Sequence, residues 1–129
     1  MQELPITERP SETEAERLYF CAYCGRIITS ERERVERDGA FSHAFTNPGG
    51  LVFAIGCFGD APGCAVTDDY TREHTWFHGY QWCCALCTGC ASHLGWHYQG
   101  RRHEPFYGLI LERLIGPPGE QAGPAGQAR

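Results

Sequence analysis

Residues 21–25 read CAYCG and residues 87–91 read CTGCA. Each stretch holds two cysteines separated by two residues, a spacing that lets both thiolates of a pair turn toward one metal ion at about 2.3 Å. Two such pairs complete a tetrahedral shell. Cys21, Cys24, Cys87 and Cys90 therefore read as the ligands of one structural zinc ion. A closed Cys₄ shell leaves no position for water, which gives the ion an architectural role and not a catalytic one. The 62 residues between Cys24 and Cys87 mean that the ion ties distant parts of the chain together, unlike a compact zinc finger. The small residue after each pair, Gly25 or Ala91, is expected to present its N–H to a thiolate. A redox Cys-x-x-Cys and two unrelated pairs are the competing readings; the doubling of the motif argues against both. Cys57, Cys64, Cys83 and Cys84 lack the spacing and read as small core residues.

The rest of the composition agrees with a single small domain. At 129 residues and a net charge of −5, with scattered arginines, nothing resembles a basic stripe for nucleic acid. No apolar run approaches the ~20 residues that a membrane span requires. The opening MQELPITERPSETEAERL is polar and acidic and has no apolar signal core, so a cytoplasmic location is expected, where thiols stay reduced and bind metal. Residues 1–17 are expected to form a disordered arm. Residues 18–115 form the folded domain, and the Gly/Pro-rich residues 116–129 a disordered tail.

Within the domain, short strand-like runs alternate with turn signals, which predicts an all-β, mainly antiparallel fold. RLYFCAYCG enters a cysteine turn as a strand. AFSHAF and LVFAIGCF flank TNPGG and predict a hairpin. YQWCCALC alternates, with Trp82, Cys84 and Leu86 on one side and Cys83 and Cys84 on opposite faces. In HLGWHYQG the same rule puts Leu94, Trp96 and Tyr98 on one face and His93 and His97 on the other. FYGLILERL fits either a strand or a short helix. ITSERERVERDG fits a loop or an irregular edge strand.

The tryptophans Trp76, Trp82 and Trp96 all fall within 21 residues around the second cysteine pair. Trp76 lies in TREHTWFHGY, which reads as a loop. Gly79 and Gly95 would let backbone pass close to a ligand. This pattern leaves two readings open, a packed core or the walls of an aromatic cage.

EHTWFHGYQW, CTGCASHLGWHY and FYGLI, with CAYCG and FTNPGG upstream, resemble the thalidomide-binding domain of cereblon, the CULT domain, which some bacteria carry as a stand-alone protein. The resemblance spans Phe20 to Leu114. It implies a β-tent: two antiparallel sheets at a steep angle, pinned by a Cys₄ zinc ion on the four cysteines named above. It also implies a cage whose tryptophans match Trp76, Trp82 and Trp96, with Tyr98 as the fourth aromatic. Asn47 and Pro48 match the turn that closes over the ligand. His74 matches a position at the ligand's imide edge, and Thr75 a small hydroxyl position. The ligand so implied is a cyclic imide, either a small molecule (glutarimide, succinimide, hydantoin or a uracil-like ring) or the C-terminal cyclic imide of a peptide. No ubiquitin-ligase adaptor is expected for this chain, and a monomer is expected.

A cyclic imide has two apolar faces and one edge presenting acceptor, donor, acceptor. Indole walls cover the faces, while backbone groups near His74 to Trp76 can read the edge. Two rival readings come from other classes. A methyl-ammonium cage would use the same rings with a carboxylate such as Glu73. A methionine sulfoxide reductase B-like enzyme would need a nucleophilic cysteine on a late strand, and no cysteine follows Cys90. The chain is therefore read as a binding module, not an enzyme.

Overall fold

The apolar alternation read above becomes nine short strands in the computed structural model, which describes residues 17–117. Apart from Arg17, Gly116 and Pro117, the expected arm and tail lie outside the described residues. The strands are β1 (Leu18–Cys21), β2 (Ile27–Ser30), β3 (Ser42–Thr46), β4 (Val52–Phe58), β5 (Cys64–Val66), β6 (Gln81–Cys87), β7 (His93–Gly100), β8 (His103–Ile110) and β9 (Leu114–Ile115). They form two antiparallel sheets, one of order β2-β1-β9 and one of order β3-β4-β8-β7-β6-β5. The all-β expectation holds. Among the described residues no α-helix occurs, and no helix is long and apolar enough to cross a membrane. The two open stretches resolve into mixtures. ITSERE is strand β2 followed by one 3₁₀ turn (Glu31–Glu33); the final apolar run is β8, a 3₁₀ turn (Leu111–Arg113) and β9.

The TNPGG reversal closes as expected. Phe45 faces Phe53 and Thr46 faces Val52, leaving residues 47–51 as the loop. The Gly50 N–H donates to the Asn47 carbonyl at 2.9 Å, and the Leu51 N–H donates to Asn47 Oδ1 at 2.9 Å. Gly50 has φ +92°, a left-handed conformation that favours a residue without a Cβ.

Both faces of the large sheet are covered. On one face Phe58, Ala85, Cys87, Leu94 and Leu109 pack against Tyr19, Cys21, Ile28 and Leu114 of the small sheet. On the other, Ile55, Cys57, Tyr98, Phe106 and Ile110 pack beneath Phe77 and Tyr80 of the 67–80 connection. Alternation thus sends Cys57 to one cluster and its neighbour Phe58 to the other. Burial of Cys57 and Cys83 agrees with the core reading, whereas Cys64 and Cys84 are half-buried.

One sequence expectation fails here. Ala85 pairs with Gly95 but Leu86 pairs with His93, so Leu94 is an extra residue on β7. This bulge breaks the period of two. Leu94 turns into the cluster shared with the small sheet, away from Trp96 and Tyr98. His93 in turn meets the Trp96 ring at 5.1 Å, edge-on. His97 does stay on the opposite face, where Tyr70 and Tyr107 flank it.

Candidate functional site: a four-cysteine centre and an aromatic face

The β1–β2 turn belongs to the small sheet and the β6–β7 turn to the large one, and the cysteines bring their ends together. Cys21 Sγ lies 3.8 Å from Cys90 Sγ, and Cys24 Sγ lies 3.6 Å from Cys87 Sγ; all four sulfurs fall within 4.8 Å of one another. A tetrahedron with 2.3 Å metal–sulfur bonds has edges of about 3.8 Å. The four residues therefore fit a structural metal ion.

The two turns share one hydrogen-bond pattern. The Tyr23 N–H donates to Cys21 Sγ at 3.4 Å and the Gly89 N–H to Cys87 Sγ at 3.2 Å. Gly25 and Ala91, expected to serve that role, instead donate to the carbonyls of Cys21 and Cys87, each at 2.8 Å. Each closes its turn with a positive φ, +82° and +65°. The thiolates are thus oriented from inside the spacer, by its second residue. A Cβ on Gly89 would sit 3.1 Å from Cys24 Sγ and 3.0 Å from Arg26 Nε, so the spacer glycine keeps this approach open. The Ser92 hydroxyl, 3.1 Å from Cys90 Sγ, lowers that thiol below its usual range, whereas Cys24 in the same cluster is raised, so the four thiols are not uniformly poised as thiolates without a metal.

On the large sheet's other face stands an aromatic cluster. The half-buried Trp76 stacks on Phe45 (centroids 4.8 Å, 13°) and meets Trp96 edge-on at 5.0 Å. Phe53 approaches Trp96 edge-on at 5.5 Å and Trp76 at 6.2 Å. Trp82 stands to one side, opposite Tyr98 in the register, and its indole N–H donates to the Glu73 carbonyl at 2.8 Å. Three of the residues singled out by sequence, Trp76, Trp82 and Trp96, thus line one face of β6, β7 and the loop between Thr71 and Tyr80. Tyr98 is 2% exposed; it stacks on Phe106 at 5.0 Å and lies under Phe77. Asn47 and Pro48 occupy the β3–β4 turn, just beyond the Phe45–Phe53 pair that supports Trp76.

The loop is shaped locally. His74 is exposed and has φ +59°, unusual for a residue with a Cβ. The Thr75 hydroxyl donates to the Phe77 carbonyl and accepts from the Phe77 N–H, at 3.3 and 3.4 Å, so it serves the turn. Phe77, 1% exposed, is the anchor: its ring meets those of Phe45, Tyr98 and Phe106 at 4.9–5.3 Å. Among the described residues the carbonyl of His74 and the N–H of Trp76 take no protein hydrogen-bond partner. Sequence reasoning missed Phe45, Phe53 and Phe77. The first two were readable from the hairpin, because a loop at 47–51 places them opposite each other. β8, where a reductase would carry its nucleophile, contains no cysteine.

No family model matches the chain. Among curated proteins it is similar to protein cereblon of Drosophila persimilis, with 30% identity over 118 residues, covering 83% of this chain and 19% of that protein. Protein cereblon of Drosophila melanogaster is 28% identical over 88 residues, 65% of this chain and 15% of that protein. The Gallus gallus protein is 29% identical over 76 residues, 56% of this chain and 17% of that protein. The chain thus spans less than a fifth of the length of these relatives. With four cysteines gathered as a metal-type cluster between two antiparallel sheets, and with this similarity along most of its length, the chain belongs to the cereblon family as a cereblon-like (CULT) domain.

Proposed function

We propose that this domain is a binding module for cyclic imides, with Trp76, Trp82 and Trp96 as the walls of its cage and no catalytic role. The observation that carries the reading is the loop at residues 74–76. It holds one indole over the aromatic face and leaves a peptide acceptor (His74) and a peptide donor (Trp76) without protein partners. An imide edge offers the matching donor and acceptors. His74 bends the chain there, Thr75 closes the turn, and Phe77 on Tyr98 anchors it from below. Trp82 is held by its bond to Glu73, and Asn47 and Pro48 border the face from the neighbouring hairpin. The ligand class follows from this chemistry: a small-molecule imide or the cyclised C-terminus of a peptide. Zinc is the metal proposed for Cys21, Cys24, Cys87 and Cys90, since a four-thiolate tetrahedral set suits it.

A glutarimide of eight heavy atoms supports affinity of about micromolar order. Titration of the folded, metal-loaded protein with glutarimide, followed by tryptophan fluorescence, should show saturable quenching. Trp76→Ala should weaken binding more than tenfold. N-methylglutarimide, which lacks the donor, should bind at least about fivefold more weakly, since an unpaired polar edge costs ~1–3 kcal/mol. A protein indifferent to glutarimide but responsive to trimethyl-lysine would replace this reading with a cation cage.

A further inference from the structure

The geometry points to a second binding site, on the other face of the sheet, for a small molecule bearing an anionic oxygen group. A cleft of about 420 Å³ is lined by Arg72, Gln81, Gln99, Gly100, Arg101 and Pro105. Gln81 and Gln99 are paired directly across β6 and β7, one step along from Trp82 and Tyr98. Side chains alternate faces along a strand, so these amides point away from the tryptophans. The site is therefore separate from the aromatic face and does not depend on the imide reading.

The lining selects charge. Among the described residues neither the Arg72 nor the Arg101 guanidinium has an ion-pair or hydrogen-bond partner, whereas Arg17 and Arg34 pair with Glu31. A guanidinium offers donors in a fork that fits a carboxylate or a phosphate, and two primary amides add further N–H donors. Two unpaired cations beside one cleft disfavour a metal or an ammonium ligand. A chain of net charge −5 also disfavours a nucleic-acid strand, which leaves small anions. The volume lies within the range of about 300–1,000 Å³ typical of small-molecule sites, larger than one bare ion needs. The ligand is thus an organic phosphate or carboxylate.

Gly100, one of the lining residues, is closely packed. A Cβ on Gly100 would lie 2.7 Å from the Gly79 carbonyl and 3.0 Å from the His103 ring. The β7–β8 turn that carries Arg101 is therefore seated against the 71–80 loop that carries Arg72. This contact holds the two guanidinium-bearing segments side by side.

The test is a titration of the metal-loaded full chain with inorganic phosphate and, separately, with succinate, each at ionic strength matched by sodium chloride. The readout is the NMR signals of the Gln81 and Gln99 side-chain amides and the Gly100 N–H. Saturable shifts with phosphate or succinate, absent with chloride, are expected. The stronger of the two identifies a phosphate-bearing or a carboxylate-bearing ligand. Arg72→Gln and Arg101→Gln should each weaken binding about tenfold, the loss of one charge-assisted bond. Arg101→Lys, which keeps the charge without the fork, should retain part of the affinity. Absence of saturable shifts, shifts that chloride reproduces, or affinity unchanged in the double glutamine variant would each overturn the proposal. An unchanged near-ultraviolet circular dichroism spectrum confirms that these surface variants are folded.

Discussion

Gly95 was expected to make room for a ligand; the structure gives it a different task, and Gly95→Ala tests it. A Cβ at this position would lie 2.2 Å from the Gly108 carbonyl oxygen and 2.8 Å from Leu109 Cα, where ordinary contact begins at 3.4 Å. All of these neighbours are backbone atoms of β8, directly across from β7. No rotamer change can relieve the clash, so the strands must part by about 1 Å in a fully packed interior. Overpacking of this kind costs about 3 kcal/mol, the upper end of the usual range, because the obstacle is a backbone and not a side chain. For a domain of about 100 residues each kcal/mol moves Tm by roughly 4–8 °C, so a loss of about 12–24 °C is expected. The assay is thermal unfolding with metal in constant excess, which keeps the metal's own contribution equal in both proteins. Two controls bracket the result. Gly49→Ala meets only Asn47 Oδ1 at 3.5 Å and should be near neutral. Gly56→Ala meets the Phe41 and Leu111 side chains at 2.5–2.9 Å, which can move, and should fall between. A Gly95→Ala protein within 1 kcal/mol of wild type would refute the reasoning.

Three further outcomes follow from the site and its surroundings. Cys90→Ser should reduce bound metal from one ion per chain to well below that, measured by mass spectrometry under native conditions, while Cys84→Ser, outside the cluster, should leave it unchanged. Stripping the metal with a chelator should abolish the cooperative unfolding transition, because a structural zinc site contributes on the order of 10 kcal/mol, as much as a small domain's whole stability. Burial holds the His97 imidazole below its usual 6.5, so the unfolded chain takes up a proton that the folded one resists. That contribution is complete above pH 6.5 and is lost as pH falls below it; His97→Phe should flatten the wild-type slope of stability against pH in that window. Thiolate protonation at the metal adds an acid slope of its own, common to both proteins, and the difference between them isolates His97.

The strands and the metal cluster were legible because their signals are local. A Pro-Gly turn and a doubled Cys-x-x-Cys each act within a few residues and appear where the sequence puts them, and the period of two holds for Trp96, His97 and Tyr98 though not across Leu94. The bulge at Leu94 was not legible, since nothing in SHLGWHY marks an inserted residue. It lies next to Gly95, which closes against β8, and between the β6–β7 turn and the tryptophans. One extra residue reverses every face assignment before it, and so it moved Leu94 and His93 while leaving Trp96, His97 and Tyr98 in place. The thiolate donors were misassigned for a related reason: the spacing shows that a turn exists but not which N–H inside it points at sulfur. Phe77 gave no signal, since a single phenylalanine in a polar loop reads the same whether it is exposed or plugs a core.

The separation of the two centres limits what the cysteines can do for the aromatic face. Cys87 and Trp82 lie at opposite ends of β6, five residues apart, which is about 17 Å along an extended strand. At that distance a bound ion neither touches a ligand at the tryptophans nor sets their local field. Its influence must pass through the strand pairing: β6 and β7 are joined at one end by the turn that holds Cys87 and Cys90, and they carry Trp82 and Trp96 further along. Between those points sits the bulge, where the pairing is irregular and His93 leans on Trp96. His93 is also fixed by Arg113, whose Nη1 donates to its carbonyl at 2.8 Å, and by its own Nε2, 2.8 Å from the Gly95 carbonyl. The setting of Trp96 therefore depends on a short bracket of local bonds, whereas that of Trp82 depends on the loop through Glu73. Loss of a bound ion should loosen Trp82 and Trp96 together by unfolding the sheet. Substitution of Arg113 or His93 should disturb Trp96, with the Phe53 and Trp76 rings packed on it, while leaving Trp82 and the metal content unchanged.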